Sequence, residues 1–229
     1  MKSDSVVIIP TYNEKENIEA IIRAVTSLDK AFDILIIDDG SPDGTAGIVK
    51  RLMEADGLRE RVHLVERQGK LGLGTAYICG FKWALEQGYD YVIEMDADFS
   101  HSPSDLPRLY AACHDDGYDA SVGSRYITGV NVVNWPIGRV LMSYYASAYV
   151  RTVLGIKLRD TTAGFVCWSR KVLETICLDD IRRHLVCVAL PPRVFALVYV
   201  HVSLLSVLSV CRSIPCLAVK NLTSPCLSA

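Results

Sequence analysis

Short β-branched runs alternate with longer segments of helical period through the first half of this 229-residue chain, and no other feature constrains the fold more strongly. Segments of that length suit crossover helices between parallel strands, whereas antiparallel hairpins need only short turns. The predicted strands are Val6–Pro10, Asp33–Asp38, Val62–Glu66, Tyr91–Met95 and Asp119–Gly123. The sequence therefore predicts an α/β fold, with a mainly parallel sheet and helices on both of its faces.

The segment after the first strand illustrates the helical pattern. Its apolar residues recur on one helical face, at Ile18, Ile21, Ile22 and Val25. Asn13 and Glu16 stand at the spacing of a helix cap and predict the start of this helix. Each such helix returns the chain to the sheet by a crossover that is right-handed by default.

Polar clusters follow four of the predicted strands. They are PTYNE, DDGSPDGT, RQGKLGLG and MDADFSH, in chain order. Ligands of open parallel sheets bind beyond the carboxyl ends of the strands. The four clusters are therefore expected to meet at one rim and to form a binding site there.

Two carboxylates, Asp96 and Asp98, flank Ala97 directly after the fourth strand. Their hard oxygen ligands favour Mg²⁺ or Mn²⁺, and such an ion commonly bridges a diphosphate and neutralises charge on a leaving group. The alternative is that both aspartates only cap and solvate a turn, as aspartates often do.

The cluster after the second strand allows two interpretations. Serine, proline, aspartate and glycine supply turn and cap chemistry without any ligand. A carboxylate at the end of this strand also suits a ribose hydroxyl, as in other nucleotide-binding α/β folds. Asp39 is the candidate for that role.

Two cations are candidate phosphate ligands. Lys70 lies in a glycine-rich loop ahead of a helix, although Gly69–Thr75 matches neither a P-loop nor a dinucleotide fingerprint. Arg125 follows the fifth strand, and its guanidinium suits bidentate phosphate binding. A solvated surface arginine is the alternative.

Three other residues are interpreted as structural. His101 is interpreted as a structural hydrogen bonder, and Cys167 and Trp168 as strand packing.

Charge divides the chain at residue 181. Residues 1–180 contain 26 Asp and Glu against 19 Lys and Arg, whereas residues 181–229 contain five Lys and Arg and no acid. The acidic first part argues against nucleic-acid binding. The eight cysteines lack the paired spacing of a zinc site, and an intracellular chain would keep them reduced. We expect residues 1–180 to form one domain, followed by an atypical apolar, cysteine-rich tail at 181–229.

Six motifs stand in order along residues 5 to about 180: IIPTYNE, IIDDGSPDGT, GKLGLGTAY, MDADFSH, GSRY and DTTAGF. Together they resemble the family 2 inverting glycosyltransferases, most closely the dolichyl- or polyprenyl-phosphate mannose synthases. The resemblance implies a GT-A fold, which is Rossmann-like. It further implies transfer of mannose from GDP-mannose to a polyprenyl (dolichyl) phosphate, with inversion and with Mg²⁺ or Mn²⁺.

The resemblance also implies roles for individual residues. Pro10, Tyr12 and Glu14 would border the guanine and ribose, and Ile37 and Asp39 would complete the nucleoside site. The diphosphate and metal would be held by Asp96, Ala97 and Asp98, with Arg125 on phosphate and Ser100 where some relatives place a glutamine ligand. Asp160 and Thr161 would shape the acceptor side.

Two other functions stay open at this point. One is a different transfer within the same family, such as from UDP-glucose to a lipid phosphate or a glycan. The other is an inactive protein that retains only nucleotide binding. A lipid acceptor implies a location at the cytoplasmic face of a membrane, and the predicted helix at Asn134–Leu154 either lies against that membrane or packs on its own domain.

The tail departs from the family pattern, because the basic loop expected after residue 181 is absent. Phe195–Val210 is nearly all apolar and could be a membrane segment, although it is short for a span and contains His201. The alternative is a tail read out of frame, which the abrupt loss of acids and gain of cysteine favour. In either case the activity of this chain is an open question.

Overall fold

The computed structural model describes residues 3–55, 57–124, 137–154, 160, 163–176, 178 and 219–223. One seven-stranded sheet runs through these residues in the order β3-β2-β1-β4-β6-β5-β7. The strands are β1 (Ser5–Thr11), β2 (Asp33–Asp38), β3 (Val62–Glu66), β4 (Tyr91–Glu94), β5 (Ala120–Ser124), β6 (Val166–Ser169) and β7 (Val219–Thr223). All five predicted strands are confirmed, with ends within one residue of the prediction.

The sheet is mostly parallel, and β6 is its one exception among the described strands. It lies antiparallel to both of its neighbours, β4 and β5, whereas the other pairs are parallel. Cys167 and Trp168 are buried in this strand, in agreement with their interpretation as packing residues. The indole N–H of Trp168 donates to Glu94 Oε1 at 2.6 Å and ties β6 to β4.

Helices cover both faces of the sheet, as the sequence predicts. The described α-helices are α1 (Ile18–Thr26), α2 (Thr45–Ala55), α3 (Leu73–Gln87), α4 (Leu106–His114), α5 (Ile137–Leu154) and α6 (Arg170–Thr175). The apolar faces of α1, α2 and α4 pack with Val7, Ile9 and other residues of one sheet face. The helices α3 and α6 pack with Val6, Ile8 and other residues of the opposite face.

The predicted cap of α1 is wrong. The helix begins at Ile18, its N-cap residue is Asn17, and Asn17 makes no side-chain capping hydrogen bond. Asn13 instead has a left-handed backbone with φ of 61°, and its N–H donates to Ser41 Oγ at 3.0 Å. Asparagine tolerates this conformation better than most residues, so Asn13 serves the turn after β1 rather than the helix.

The helix α5 exposes large apolar and aromatic side chains. The exposed fraction is 78% for Ile137, 49% for Leu141, 46% for Tyr144, 65% for Tyr145 and 47% for Tyr149. The spacing of these residues places them along one side of the helix. This side therefore does not pack on the described part of the domain.

The tail contributes one described element. The backbone of β7 pairs in parallel with β5, in a register that runs from Ala120 opposite Val219 to Ser124 opposite Thr223. The apolar run Phe195–Val210 lies outside the described residues. Among the described helices, none combines the length and the apolar character that crossing a membrane requires.

Candidate functional site

The carboxyl ends of four parallel strands lie at one edge of the sheet. Thr11 at the end of β1 is in register with Asp38 at the end of β2, and Asp38 is in register with Glu66 at the end of β3. The strand β4 runs parallel to β1 on its other side. The polar clusters that the sequence places after these strands therefore share one rim, as predicted.

Most of the polar groups in DDGSPDGT hold the rim together. Thr11 Oγ1 donates to Asp38 Oδ1 at 2.9 Å, and Ser41 N–H donates to Asp38 Oδ2 at 2.9 Å. The Thr45 hydroxyl donates to Asp43 Oδ1 at 2.6 Å and is the largest cause that lowers the pKa of Asp43. Turn and cap chemistry thus accounts for Asp38 and Asp43.

Asp39 has different partners. Its buried carboxylate forms an ion pair with Arg67, whose Nε lies 2.6 Å from Asp39 Oδ1, and Leu71 N–H donates to Asp39 Oδ2 at 3.2 Å. These contacts join the end of β2 to the loop after β3. They also hold the carboxylate in one orientation at the rim, which a hydrogen-bonding site for a nucleoside needs.

Arg67 was not among the residues predicted from the sequence. The register of β2 and β3 contains a signal that could have identified it, because Asp38 lies opposite Glu66 and the next residues on each strand are Asp39 and Arg67. An acid and a base that follow neighbouring parallel strands at the same level are placed to form a pair. This signal requires the register, which the sequence alone does not give.

The glycine-rich loop at 67–72 is fixed against β2. Arg67 Nη1 donates to Thr75 Oγ1 at 2.8 Å, and Arg67 N–H donates to the Asp38 carbonyl at 2.8 Å. Gly40 has φ of +68°, and a Cβ added there would lie 3.0 Å from the backbone nitrogen of Gly69. The close approach of these two backbones therefore needs glycine at position 40.

Tyr12 and Lys70 face each other across the rim. Lys70 Nζ lies 4.5 Å from the centroid of the Tyr12 ring, within cation–π distance, and 36% of Tyr12 is exposed. The neighbouring Glu14 accepts a hydrogen bond from Asn17 Nδ2 at 3.0 Å. An exposed aromatic ring beside a cation forms a surface on which a planar base could stack.

Pro10 and Ile37, also predicted to border the nucleoside, lie opposite each other in β1 and β2. Pro10 is half-buried, whereas Ile37 is completely buried in the core that faces α3. The structure thus brings Tyr12, Glu14, Asp39 and Lys70 to the rim but keeps the Ile37 side chain within the core.

The Asp96–Asp98 turn leaves the sheet directly after β4. Asp96 is half-buried, Ala97 is buried, and Asp98 and Ser100 are exposed. Ser100 N–H donates to Asp98 Oδ1 at 2.9 Å, and Phe99 between them has a left-handed φ of 56°. This conformation is unusual for a bulky residue, and here it allows the turn that returns Ser100 to Asp98.

The donor set of this turn fits a divalent cation. Mg²⁺ and similar ions often take one or two carboxylates, with the remaining positions filled by substrate phosphates and water. Within the described ranges, no cluster of three or more His, Cys, Asp or Glu residues is arranged to hold a metal. Asp96 and Asp98 could supply two carboxylates, and a diphosphate would have to complete such a site. The role of the Ser100 hydroxyl stays a prediction.

A buried carboxyl group lies next to this turn. Burial raises the pKa of Glu94 to about 8, the Trp168 hydrogen bond opposes this increase, and the charge of Asp96 adds to it. Glu94 Oε2 has no hydrogen-bond partner among the described residues. Glu94 was not predicted from the sequence, because its position in a strand of apolar neighbours gives no functional signal.

Other predicted residues are placed as follows. Arg125 and Thr161 lie outside the described residues, and their roles stay predictions. Asp160 is buried. His101 is also buried, and its ring stacks on Phe165 with centroids 4.9 Å apart. This packing agrees with a structural role for His101.

Comparison with known proteins places these features in context. The family described as Glycosyl transferase family 2 matches residues 6–177. A polyprenol monophosphomannose synthase of Mycolicibacterium smegmatis is 46% identical over 177 residues, which cover 77% of this chain and 66% of that protein. An undecaprenyl-phosphate mannosyltransferase of Micrococcus luteus is 43% identical over 174 residues, covering 76% of this chain and 70% of the relative. The match thus spans about two-thirds of these relatives.

Solved structures share the fold at low sequence identity. Glucosyl-3-phosphoglycerate synthase of Mycobacterium tuberculosis, in complex with phosphoglyceric acid, superposes with a TM-score of 0.63 and 21% identity, covering 97% of this chain and 70% of that one. The mannosyltransferase PcManGT of Pyrobaculum calidifontis, in complex with GDP-Man and Mn²⁺, superposes with a TM-score of 0.52 and 20% identity. This match covers 76% of this chain and 46% of that one. These likenesses confirm the predicted GT-A fold.

Proposed function

Because this chain belongs to glycosyl transferase family 2, we propose that it transfers mannose from GDP-mannose to a polyprenyl phosphate, with inversion and with a divalent cation. One observation carries the proposal. Over 177 residues the chain is 46% identical to a protein named polyprenol monophosphomannose synthase, and the family match at residues 6–177 contains the whole described rim. The relative's name supplies the sugar and the lipid class, and the rim supplies groups suited to a nucleotide diphosphate.

The nucleoside half of the donor would bind between the β1 and β3 ends. The Asp39 carboxylate, held by Arg67, can accept hydrogen bonds from a ribose or base, and Tyr12 offers an exposed ring for stacking. Lys70 now lies over that ring and would move to the phosphates or stay at the edge of the base. The buried ion pair would fix this half of the site before the donor arrives.

The diphosphate half would bind at the turn after β4. Asp96 and Asp98 would hold Mg²⁺ or Mn²⁺, which when bound neutralises the charge that develops on the departing diphosphate. Arg125, predicted to contact phosphate, would add a guanidinium. We therefore assign Asp96, Asp98 and Arg125 to catalysis and the Ser100 hydroxyl to the metal or to a water on it.

The proposed reaction is one in-line displacement. A phosphate oxygen of the lipid forms a bond to the anomeric carbon, the bond from that carbon to the diphosphate oxygen breaks, and GDP leaves with the electron pair. No proton has to be removed from a phosphate dianion, so a general base is not required. The Asp39–Arg67 pair would hold the nucleoside of the donor, and the Asp96–Asp98 turn would hold its diphosphate. The anomeric carbon of the sugar would then face the acceptor.

The acceptor implies contact with a lipid surface, and α5 is suited to that contact. Its exposed side carries Leu141, Tyr145 and Tyr149, and tyrosine favours the membrane interface. Residues 120–159 contain five Lys and Arg and no acid, although the rest of the first 180 residues is acidic. We propose that this side of α5 lies on an anionic membrane surface, peripheral to the bilayer that contains the acceptor.

The test is mannose transfer from radiolabelled GDP-mannose to a short polyprenyl phosphate, with and without Mn²⁺. A metal-dependent mannosyl lipid product, with GDP a stronger competitor than UDP, supports the proposal. Stronger competition by UDP than by GDP, with transfer of glucose from UDP-glucose, would identify a different activity within the family. GDP binding without any transfer would identify an inactive nucleotide-binding protein.

A further inference from the structure

A tyrosine on α3 reaches the Asp96–Asp98 turn from inside the protein. The hydroxyl of Tyr77 donates to Asp96 Oδ1 at 3.2 Å, and Tyr77 has no solvent-exposed surface. Asp96 is half-buried and is one of the two carboxylates assigned to the cation. The contact therefore joins a core residue directly to the proposed metal site.

An ionised carboxylate is an acceptor only, so the Tyr77 hydroxyl is the donor in its contact with Asp96. Burial also raises the pKa of Tyr77 in the metal-free protein, which favours the neutral, donating phenol.

The ring of Tyr77 is fixed by packing. It stacks on Phe81, one turn further along α3, with centroids 6.3 Å apart and planes inclined by 25°. The helix α3 begins directly after the glycine-rich loop, so Tyr77 connects the wall of the nucleoside site to the turn after β4. A hydroxyl on a fixed ring can hold its acceptor in one orientation.

We propose that Tyr77 is a positioning residue for the donor reaction, and that its hydroxyl holds the Asp96 carboxylate in the orientation that binds the divalent cation. This inference rests on the proposed function, because it takes Asp96 as a cation ligand. Groups that hydrogen-bond to metal ligands commonly change metal affinity by about 10-fold to 100-fold when they are removed. Tyr77 itself touches neither the cation nor the substrate.

A second tyrosine offers a matched control. Tyr89 lies just beyond the end of α3, is also buried, and donates its hydroxyl to Asp33 Oδ2 at 2.7 Å. Asp33 is the first residue of β2, so this contact lies at the amino edge of the sheet, opposite the rim. Tyr89→Phe removes a buried tyrosine–aspartate hydrogen bond of the same kind without affecting the candidate site.

The experiment titrates Mn²⁺ by calorimetry into the full chain with saturating GDP, for the wild type, Tyr77→Phe and Tyr89→Phe. We expect the Kd for Mn²⁺ to rise by about 10-fold in Tyr77→Phe and by less than about twofold in Tyr89→Phe, since only the first contact reaches a proposed ligand. Transfer by Tyr77→Phe should recover at high Mn²⁺. Thermal unfolding without metal measures the purely structural cost of each hydroxyl.

The possible outcomes distinguish a failure of the positioning role of Tyr77 from a failure of the proposed metal-dependent function. An unchanged Kd for Mn²⁺ in Tyr77→Phe, with wild-type binding intact, overturns the positioning role and leaves the metal site in place. Absence of Mn²⁺ binding to the wild type with GDP instead contradicts the proposed metal-dependent function, and the positioning role with it. If Tyr77→Phe does not fold, Tyr77→Met removes the hydroxyl with a flexible apolar side chain and provides the same comparison.

Discussion

At the scale of single residues, the buried pair of Asp39 and Arg67 is the feature most directly linked to donor binding. The two side chains are 8% and 9% exposed, so each charge depends on the other for compensation. Removing one partner of such a pair typically costs about 3 kcal/mol or more, because the remaining charge stays buried. The pair is therefore expected to affect both stability and nucleotide affinity.

Arg67→Met should lower the free energy of unfolding by about 3 kcal/mol and weaken GDP binding, because it leaves Asp39 uncompensated at the rim. Urea unfolding and GDP calorimetry measure the two effects. Arg61→Met is the control, since Arg61 donates to the carbonyls of Thr26 and Phe32 away from the site. Equal loss of GDP affinity in both variants would show that Arg67 acts only through stability.

Glu94 predicts a pH dependence of stability in the metal-free protein. Its pKa is about 8 in the folded state against a model-compound value of 4.5, so the folded protein binds a proton that the unfolded chain releases between these values. The stability from this group is complete below pH 4.5 and is lost as the pH rises towards 8. The slope is at most about 1.4 kcal/mol per pH unit.

Glu94→Gln should remove this dependence, because the amide keeps an acceptor for Trp168 and does not ionise. Urea unfolding in EDTA at pH 5, 6, 7 and 8 measures it. We expect the variant to gain stability relative to the wild type as the pH rises. A constant difference across the range would mean that Glu94 does not bind this proton in the folded state.

The sequence predicted the placement of single residues with uneven success. Asp39, Asp96 and Asp98 could be placed at the rim because each closely follows an apolar strand, and the carboxyl ends of parallel strands meet at one edge of the sheet. Arg67 and Tyr77 could not, since their importance lies in contacts with Asp39 and Asp96 that depend on register and on the placement of α3. Local patterns contain no information on such contacts.

At the scale of elements, the loop at 67–72 and the end of β2 behave as one unit. The contact between them needs glycine at position 40, both for its φ of +68° and for its distance from Gly69. A side chain at Gly40 would therefore displace the loop that holds Arg67 and Lys70.

Gly40→Ala should destabilise the protein by about 1 kcal/mol or more, through its backbone conformation, and should also weaken GDP binding. Gly57→Ala is the matched control, because Gly57 has φ of +64° and open space around its Cβ position. It should cost a similar amount of stability with no loss of GDP affinity. Thermal unfolding and GDP titration of both variants separate strain from displacement of the loop.

The exposed side of α5 predicts membrane binding. Tyr145→Ser should reduce sedimentation with phosphatidylglycerol vesicles several-fold, by removing an aromatic ring that favours the interface. Binding of the wild type to neutral phosphatidylcholine vesicles should be weaker, because the basic residues at 120–159 have no electrostatic attraction to a neutral surface. Unchanged binding of Tyr145→Ser to anionic vesicles would contradict the assignment of this surface.

Elements were the most predictable level of this molecule. The five predicted strands were found because buried parallel strands are continuous apolar runs between polar clusters. The direction of β6 was not predicted, since an antiparallel insertion and a parallel strand have the same short apolar pattern. The cap of α1 was misplaced because Asn13 suits both a cap and a left-handed turn, and the contact with Ser41 decides between them.

At the scale of the whole molecule, the change in charge at residue 181 and the end of the family match at residue 177 nearly coincide. We infer that residues 1–180 form the catalytic domain and that residues 181–229 are a tail of different composition. The tail still contributes the backbone of β7 to the sheet. Truncation after residue 180 would therefore remove a strand from the edge of the sheet and should lower the unfolding temperature.

The central claim is that the rim binds a GDP-sugar and a divalent cation for transfer to a lipid phosphate. The most direct test is mannose transfer from GDP-mannose to a polyprenyl phosphate, with and without Mn²⁺, by this chain and by Asp98→Ala. We expect a Mn²⁺-dependent mannosyl lipid from the wild type and at least about a 100-fold lower rate from the variant, as for loss of a group that stabilises the leaving charge. Equal transfer by both proteins, or transfer that does not need a metal, would contradict the claim.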